Sequence, residues 1–423
     1  MQKSNVKYGV YCEILNKELI VALGCTEPIA LAYAAAKARQ TLNAEPVSVV
    51  AEVCGNVIKN AKSVIVPNTD GQKGIQTAVA AGVLFGNPDK QLQVLTDVKA
   101  EQKPRIKDFA ESGAIKVVPS SNPKTFYIKI TVSDGLNAAS VTIEDNHTNV
   151  TDVSLNGKSL FLGKEIEKSD RLESLYRYLS VEDIVDFADT FDLNDLKQVL
   201  DRQITVNTAI SREGLCGDWG ASIGKIIAKD ATDAFSLAIA AAAAGSDARM
   251  SGCELPVVIV SGSGNQGMTA SIPVITYANG VGAPREKLLR ALVIANLMTI
   301  HQKTGIGKLS AYCGAVSAGV GAACGIAYLD GGGFDAIAHT AVNALAIDSG
   351  IVCDGAKPSC AGKIATSLFT ALLGYKMYLN GQEFVSGEGI VKKGVDNTIA
   401  SVSRLASLGM KETDKEIIKI MTE

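Results

Sequence analysis

Apolar residues recur at helical spacing from the start of the chain. Val6, Val10, Ile14 and Leu15 fall on one face, which predicts a helix over residues 3–23. Gly24-Cys-Thr-Glu-Pro28 interrupts it. Thr26 is placed as an N-cap, with Pro28 inside the first turn of a second helix over 29–41. From Pro46 the apolar period shortens toward two. Strands are predicted at 47–53, 63–66, 92–96, 115–118, 126–132 and 138–144, with helices at 72–84 and 99–112. Beyond Val181 nearly every periodic run is helical and rich in Ala and Gly: 182–190, 193–210, 221–244, 285–301, 309–328, 334–348, 361–379 and 396–407. One short β-like run, Pro256 to Val260, leads into Gly262-Ser-Gly-Asn-Gln-Gly267.

This pattern predicts an α+β fold. An N-terminal helical hairpin and a mixed α/β sheet domain precede a predominantly α-helical domain, expected to be the catalytic one. The expected boundaries are 1–45 for the helical segment with the Cys25 motif, 46–180 for the α+β part, and 181–423 for the Gly/Ala-rich helical part. Residues 309–329 carry no charge, and their length reaches that of a membrane span. Their content is mostly small, and Ser317, Gly321 and Gly325 recur every four residues. A buried helix packed closely on its neighbours is the expectation, not a membrane span.

Composition narrows the field. The 423 residues are 47% hydrophobic and 20% charged, as in an ordinary folded protein. A net charge of −3 gives no basis for a nucleic acid or membrane partner. Nine cysteines without an apolar leader favour a cytoplasmic protein whose thiols stay free, bind metal or react. Self-association as a homo-oligomer is left open.

The cysteines carry the candidate chemistry. Cys353 and Cys360 flank Asp354, Gly355, Lys357 and Pro358 on a bent loop where two thiols can converge on one metal centre. Two packing cysteines would fit the same spacing, but the polar and helix-breaking residues between them favour a site. Cys313 or Cys324 supplies a third thiol. On one helix these two lie roughly 16 Å apart, so only one can join a compact cluster. Cys313 follows Lys308, Ser310 and Tyr312 near the helix start and is better placed; Cys324 sits in the small-residue interior. Three thiolates without a fourth suggest an iron–sulfur cluster with one open iron.

The Gly262–Gly267 loop offers backbone N–H groups, and Asn265 and Gln266 add side-chain donors for a carboxylate or phosphate. Its spacing matches a dinucleotide fingerprint, yet Pro273 is expected to interrupt the helix that motif requires. Cys25 stands at a helix start, where the dipole is expected to lower a thiol pKa. Lys357 and Lys363 are placed to hold a carboxylate or offset cluster charge. Cys12, Cys54, Cys216 and Cys253 read as structural, and His301 as a packing histidine, with functional roles for Cys216 and His301 open.

Gly24-Cys-Thr-Glu-Pro28, Gly262-Ser-Gly-Asn-Gln-Gly267, Ser310-Ala-Tyr-Cys-Gly-Ala315 and Lys357-Pro-Ser-Cys360 together resemble the cysteine desulfidase family. Its C-terminal portion is similar to the α chain of iron–sulfur L-serine dehydratases. The resemblance covers almost the whole chain. It implies a 4Fe–4S cluster on Cys313, Cys353 and Cys360 with one open iron, no pyridoxal phosphate, and Cys25 as catalytic base. The implied reaction takes L-cysteine, a small amino-acid substrate, to pyruvate, ammonia and hydrogen sulfide. Ser263, Asn265, Gln266 and Lys357 are expected to orient the substrate. Competing readings are L-serine dehydration on the same cluster, a pyridoxal-phosphate lyase using Lys357 or Lys363, and a non-catalytic cluster or sulfide sensor.

Overall fold

The computed structural model describes residues 1–163, 172–307 and 309–423. Lys308, one of the polar residues preceding Cys313, lies outside them. The first helix, α1 (Val6–Glu18), starts where the Asn5 side chain accepts the Lys7 amide at 3.0 Å. It stops well short of residue 23. Residues 21–23 form a strand instead, β1 (Val21–Leu23), antiparallel to the distant β8 (Pro256–Val258) with Val21 opposite Val258. Apolar residues in this stretch meet a strand partner more than 200 residues away, which local periodicity cannot register.

The second helix, α2 (Thr26–Leu42), is Ala-rich and buried over most of its surface. It packs across a six-stranded sheet of order β3-β2-β4-β5-β6-β7. The strands are β2 (Ser48–Val53), β3 (Ile115–Pro119), β4 (Tyr127–Ser133), β5 (Ala138–Glu144), β6 (Val150–Leu155) and β7 (Lys158–Leu162). β2 pairs in parallel with β3, and every other pairing is antiparallel. Helices α3 (Gly55–Ala61), α4 (Gly74–Phe85) and α5 (Lys103–Glu111) connect the early strands. The β6–β7 hairpin extends the sheet beyond the predicted strands. The strands expected at 63–66 and 92–96 do not form. The first keeps one isolated bridge, Ile65 to Lys73, and the second lies in a 3-10 turn and the turn after it. Val64, Val66, Leu92, Val94 and Leu95 are buried all the same. Short apolar runs report burial without naming the backbone shape.

The helical part comprises α6 (Leu172–Leu175), α7 (Val181–Thr190), α8 (Leu193–Cys216), α9 (Ile223–Asp230), α10 (Ala234–Met250), α11 (Gly264–Gly280), α12 (Arg285–Ile306), α13 (Gly314–Leu329), α14 (Phe334–Ile347), α15 (Cys360–Leu379), α16 (Val395–Arg404) and α17 (Lys411–Thr422). The molecule is therefore α+β. The predicted helix 221–244 breaks before Asp233, whose carboxylate caps α10 by accepting the Phe235 amide at 2.8 Å. α11 runs on through Pro273 rather than ending there. α13 begins at Gly314, so Cys313 is the residue just before it instead of lying inside it. The small-residue face packs as closely as expected: a Cβ on Gly321 would meet Ala295 O at 2.5 Å, and one on Gly325 would meet Ala291 O at 2.9 Å. α13 thus lies backbone to backbone on α12. Among the described residues no helix is long and apolar enough to cross a membrane.

Candidate active site

Four helices begin on one cavity. The first residues of α2, α11, α13 and α15 lie at or beside its wall, so the positive ends of four dipoles face the same space. Cys25, Cys313 and Ser359 precede three of them, and none makes a side-chain cap bond. Ser263 precedes the fourth and accepts the Gln266 amide at 3.5 Å. Thr26 does not act as an N-cap. It is the first residue of α2, and its hydroxyl donates to Gly262 O at 3.0 Å, tying the Cys25 motif to the glycine-rich loop.

The cavity leaves about 100 Å³ open to the centre of a water-sized sphere. Cys25, Ser263, Asn265, Gln266, Cys313, Cys353 and Cys360 all stand on its wall. The structure therefore brings together every predicted site residue except Lys357. That lysine lies on the same loop, but its ammonium pairs with Asp354, as does that of Lys363. Burial pushes the Asp354 carboxyl up, yet the two lysines outweigh it and hold it at about 2. Cys324 is buried inside α13, its thiol 3.6 Å from Ile337 O, away from the cavity. Cys216 is exposed at the end of α8, and His301 Nε2 lies 2.6 Å from Asp396 Oδ1; neither reaches the cavity wall.

Cys313 and Cys353 are fixed relative to each other by an isolated antiparallel bridge between Tyr312 and Val352. Cys360 opens α15, and its thiol points at Gly355 O, 3.7 Å away. Gly355 has φ 92°, and a Cβ there would run into the carbonyl of Lys59 on α3, so only glycine lets the loop pass this close. A hydrogen bond from the Cys313 thiol holds Cys353 below the usual thiol range; burial opposes it, and the Lys59 and Lys363 ammonium groups add to it. The same bond, then burial, pushes Cys313 well above that range. Burial likewise raises Cys360.

Cys25 departs from the sequence expectation. Burial, followed by the charge of Glu27, pushes its thiol well above the ordinary range instead of lowering it. The thiol donates to Glu27 Oε2 at 3.3 Å. Desolvation and a neighbouring carboxylate both favour the neutral thiol, and together they outweigh the helix dipole. The buried Glu27 carboxylate also accepts from Asn60 Nδ2 at 3.1 Å, shares the Thr26 hydroxyl proton with Gly262 O at 3.1 Å from Oγ1, and lies 3.7 Å from His147 Nε2. Burial pushes this carboxyl up, but His147 first and Cys25 next overcome it and hold it at about 2.

Sequence reasoning missed Asn60, His147, Arg249 and Lys303, which also line the cavity. They come from α3, the turn between β5 and β6, α10 and α12. The one available signal was a charged side chain inside an apolar helical run, as at Arg249 and Lys303. Lys303 is buried, and burial pulls its ammonium down to about 8 while Cys353 and Cys313 pull the other way. Gln266 Oε1 is buried with no hydrogen-bond partner among the described residues.

No group of three or more His, Cys, Asp or Glu side chains among the described residues closes on a single metal ion. A cluster makes a different demand, because thiolates on separate irons stand farther apart than ligands around one ion. Three cysteines around one cavity, uncapped helix starts and a buried lysine are a donor set and a field suited to an anionic thiolate-bound body.

The serine dehydratase alpha chain family matches residues 89–419. It is a family associated with iron–sulfur clusters. A UPF0597 protein of Desulfitobacterium hafniense is 52% identical over 422 residues, covering 100% of this chain and 98% of its own. UPF0597 proteins of Finegoldia magna and Treponema denticola are 44% and 42% identical, covering 98% and 100% of this chain and 99% of their own. The chain belongs to the serine dehydratase alpha chain family.

Proposed function

We propose that this protein is an iron–sulfur lyase acting on L-cysteine, with pyruvate, ammonia and hydrogen sulfide as products. One observation carries the reading: Cys313, Cys353 and Cys360 share a single cavity with the Cys25–Glu27 pair and the glycine-rich loop. The family membership supports lyase chemistry on a small amino acid.

Cys313, Cys353 and Cys360 would hold the 4Fe–4S cluster. When bound, it supplies an open iron that acts as a Lewis acid toward the substrate's β-sulfur. The chain's own residues handle the proton. Cys25 is a neutral thiol in contact with a carboxylate, so it needs an acceptor before it can take the α-proton. Glu27 is that acceptor: the Cys25 proton passes to Glu27 Oε2 as the α-proton passes to Cys25 Sγ. The C–H electron pair becomes the C=C bond, and the C–S pair leaves with sulfide. Aminoacrylate then tautomerises and is hydrolysed to pyruvate and ammonia. Asn60 and His147 hold Glu27 in place. Ser263, Asn265 and Gln266 orient the substrate, with the unpartnered Gln266 Oε1 suited to its ammonium group. Lys357, paired with Asp354, steadies the thiol loop instead of touching the substrate.

L-Serine dehydration is the second reading, favoured by the family match itself. A pyridoxal-phosphate lyase using Lys357 or Lys363 is disfavoured, because both are paired with Asp354 and neither lines the cavity. Anaerobic reconstitution with iron and sulfide, followed by assays on both amino acids, decides. Faster turnover of L-cysteine supports the proposal. Faster turnover of L-serine moves the assignment to dehydration, and activity in iron-free protein removes the cluster from it.

A further inference from the structure

Arg249 is a buried cation without a counter-charge. It is only 3% exposed and stands on the cavity wall near the end of α10. Nε–H donates to Gly24 O at 3.0 Å, and a terminal N–H donates to Asn265 Oδ1 at 3.1 Å. Both acceptors are neutral, and among the described residues no carboxylate pairs with the guanidinium. A charge held out of water in this way is costly unless something neutralises it.

Its seat adds to that cost. A Cβ on Gly264 would lie 2.5 Å from Arg249 Nε and 2.7 Å from Cζ, so the guanidinium rests directly on the first residue of α11. The positive end of the helix and a positive side chain therefore occupy the same place. Glu27 is the one carboxylate on the cavity wall among the described residues, and Cys25, Thr26 and Asn60 already occupy it. The missing partner is an anion from outside. A planar fork with free N–H groups beside a helix N-terminus matches a carboxylate.

We propose that Arg249 determines specificity for the substrate's α-carboxylate, holding it against the start of α11 beside Asn265. The assignment rests on the proposed amino-acid reading only for the identity of that substrate. Arg249 also keeps the two loops of the cavity in register through Gly24 and Asn265, so a bound carboxylate would tighten the wall it lies against.

The test measures binding by calorimetry on the anaerobically reconstituted protein. The probes are 3-mercaptopropionate and its methyl ester, which share the thiol and differ in the charge. The acid is expected to bind at least about tenfold tighter, the size of one charge-assisted hydrogen bond. Arg249→Gln should bring acid and ester to within about twofold of each other, well inside the discrimination one such bond gives. Gly264→Ala leaves the arginine in place and crowds its guanidinium, so it should lower the ratio even if the first variant does not fold. A wild-type ratio near one overturns the assignment, as does a folded Arg249→Gln protein that keeps the ratio. If neither L-cysteine nor L-serine is turned over while Arg249→Gln still abolishes the ratio, the lyase reading falls and Arg249 keeps its role. Turnover with a ratio indifferent to Arg249 gives the converse.

Discussion

Cys313 and Cys353 stand at diagonal positions on either side of one antiparallel bridge, Tyr312 to Val352. The Cys353 amide donates to Ala311 O at 2.6 Å, and the Cys313 amide donates to Ile351 O at 2.8 Å. Forty residues of helix and loop separate them in sequence, yet two backbone hydrogen bonds set their separation. The thiols are therefore positioned before anything binds to them, which lowers the ordering cost of binding.

On the proposed function, replacing Cys353 with Ala should remove a cluster ligand and leave the bridge, because the bridge is made by backbone atoms. The expected outcome is a folded protein with a normal circular dichroism spectrum. After anaerobic reconstitution its iron and acid-labile sulfide should fall to background, with no turnover.

Cys25→Ala separates the proposed base from the proposed cluster. Iron and sulfide content should match the wild type, while kcat falls by about 10²–10⁴, the usual contribution of a positioned proton acceptor. A loss of iron of the same size would make Cys25 a ligand instead.

Glu27 links stability to acid. Its carboxyl lies at about 2 in the folded protein, below its ordinary value of 4.5. A lowered folded pKa gives stability that is complete above the unfolded value and is lost as pH falls through the folded one. The wild type should therefore lose stability between about pH 4.5 and pH 2 through this group. Glu27→Gln should flatten that part of the curve in urea unfolding followed across the range. The same variant should lower kcat, because the acceptor for the Cys25 proton is gone.

Gly355→Ala tests the thiol loop. The left-handed backbone and the Lys59 carbonyl both oppose a Cβ. The strained backbone alone should cost about 1–3 kcal/mol. Urea denaturation of the apoprotein reads the stability, and slower iron uptake should accompany the loss because Cys353 and Cys360 flank this residue.

The sequence was most legible where chemistry needs an unusual residue at a fixed place. Cys25, Cys313, Cys353, Cys360 and the glycine-rich loop, singled out by the sequence, all stand on one cavity. Most of the longer helices beyond Val181 were found from apolar periodicity, but α11 and α17 were not, and three small residues four apart pointed to a closely packed helix without naming α12 as its neighbour. Pairing between distant segments was not legible. β1 needs β8, and a short apolar run such as 92–96 can be buried as a turn. The charge state of Cys25 was misjudged because a helix start is visible in sequence, whereas burial and the approach of Glu27 belong to the folded chain. Arg249, Lys303, Asn60 and His147 lie in separate elements and form no motif, so only their convergence gives them meaning.

The seating of α13 on α12 reaches further than packing. Gly321 lies against the backbone of Ala295, and Cys313 sits at the head of the same helix, about two turns away. The helix behaves as a strut whose footing is a surface without side chains. A methyl group added at Gly321 would lift the shaft and move its tip, so the aim of the Cys313 sulfur is set at a point that lies off the cavity wall altogether.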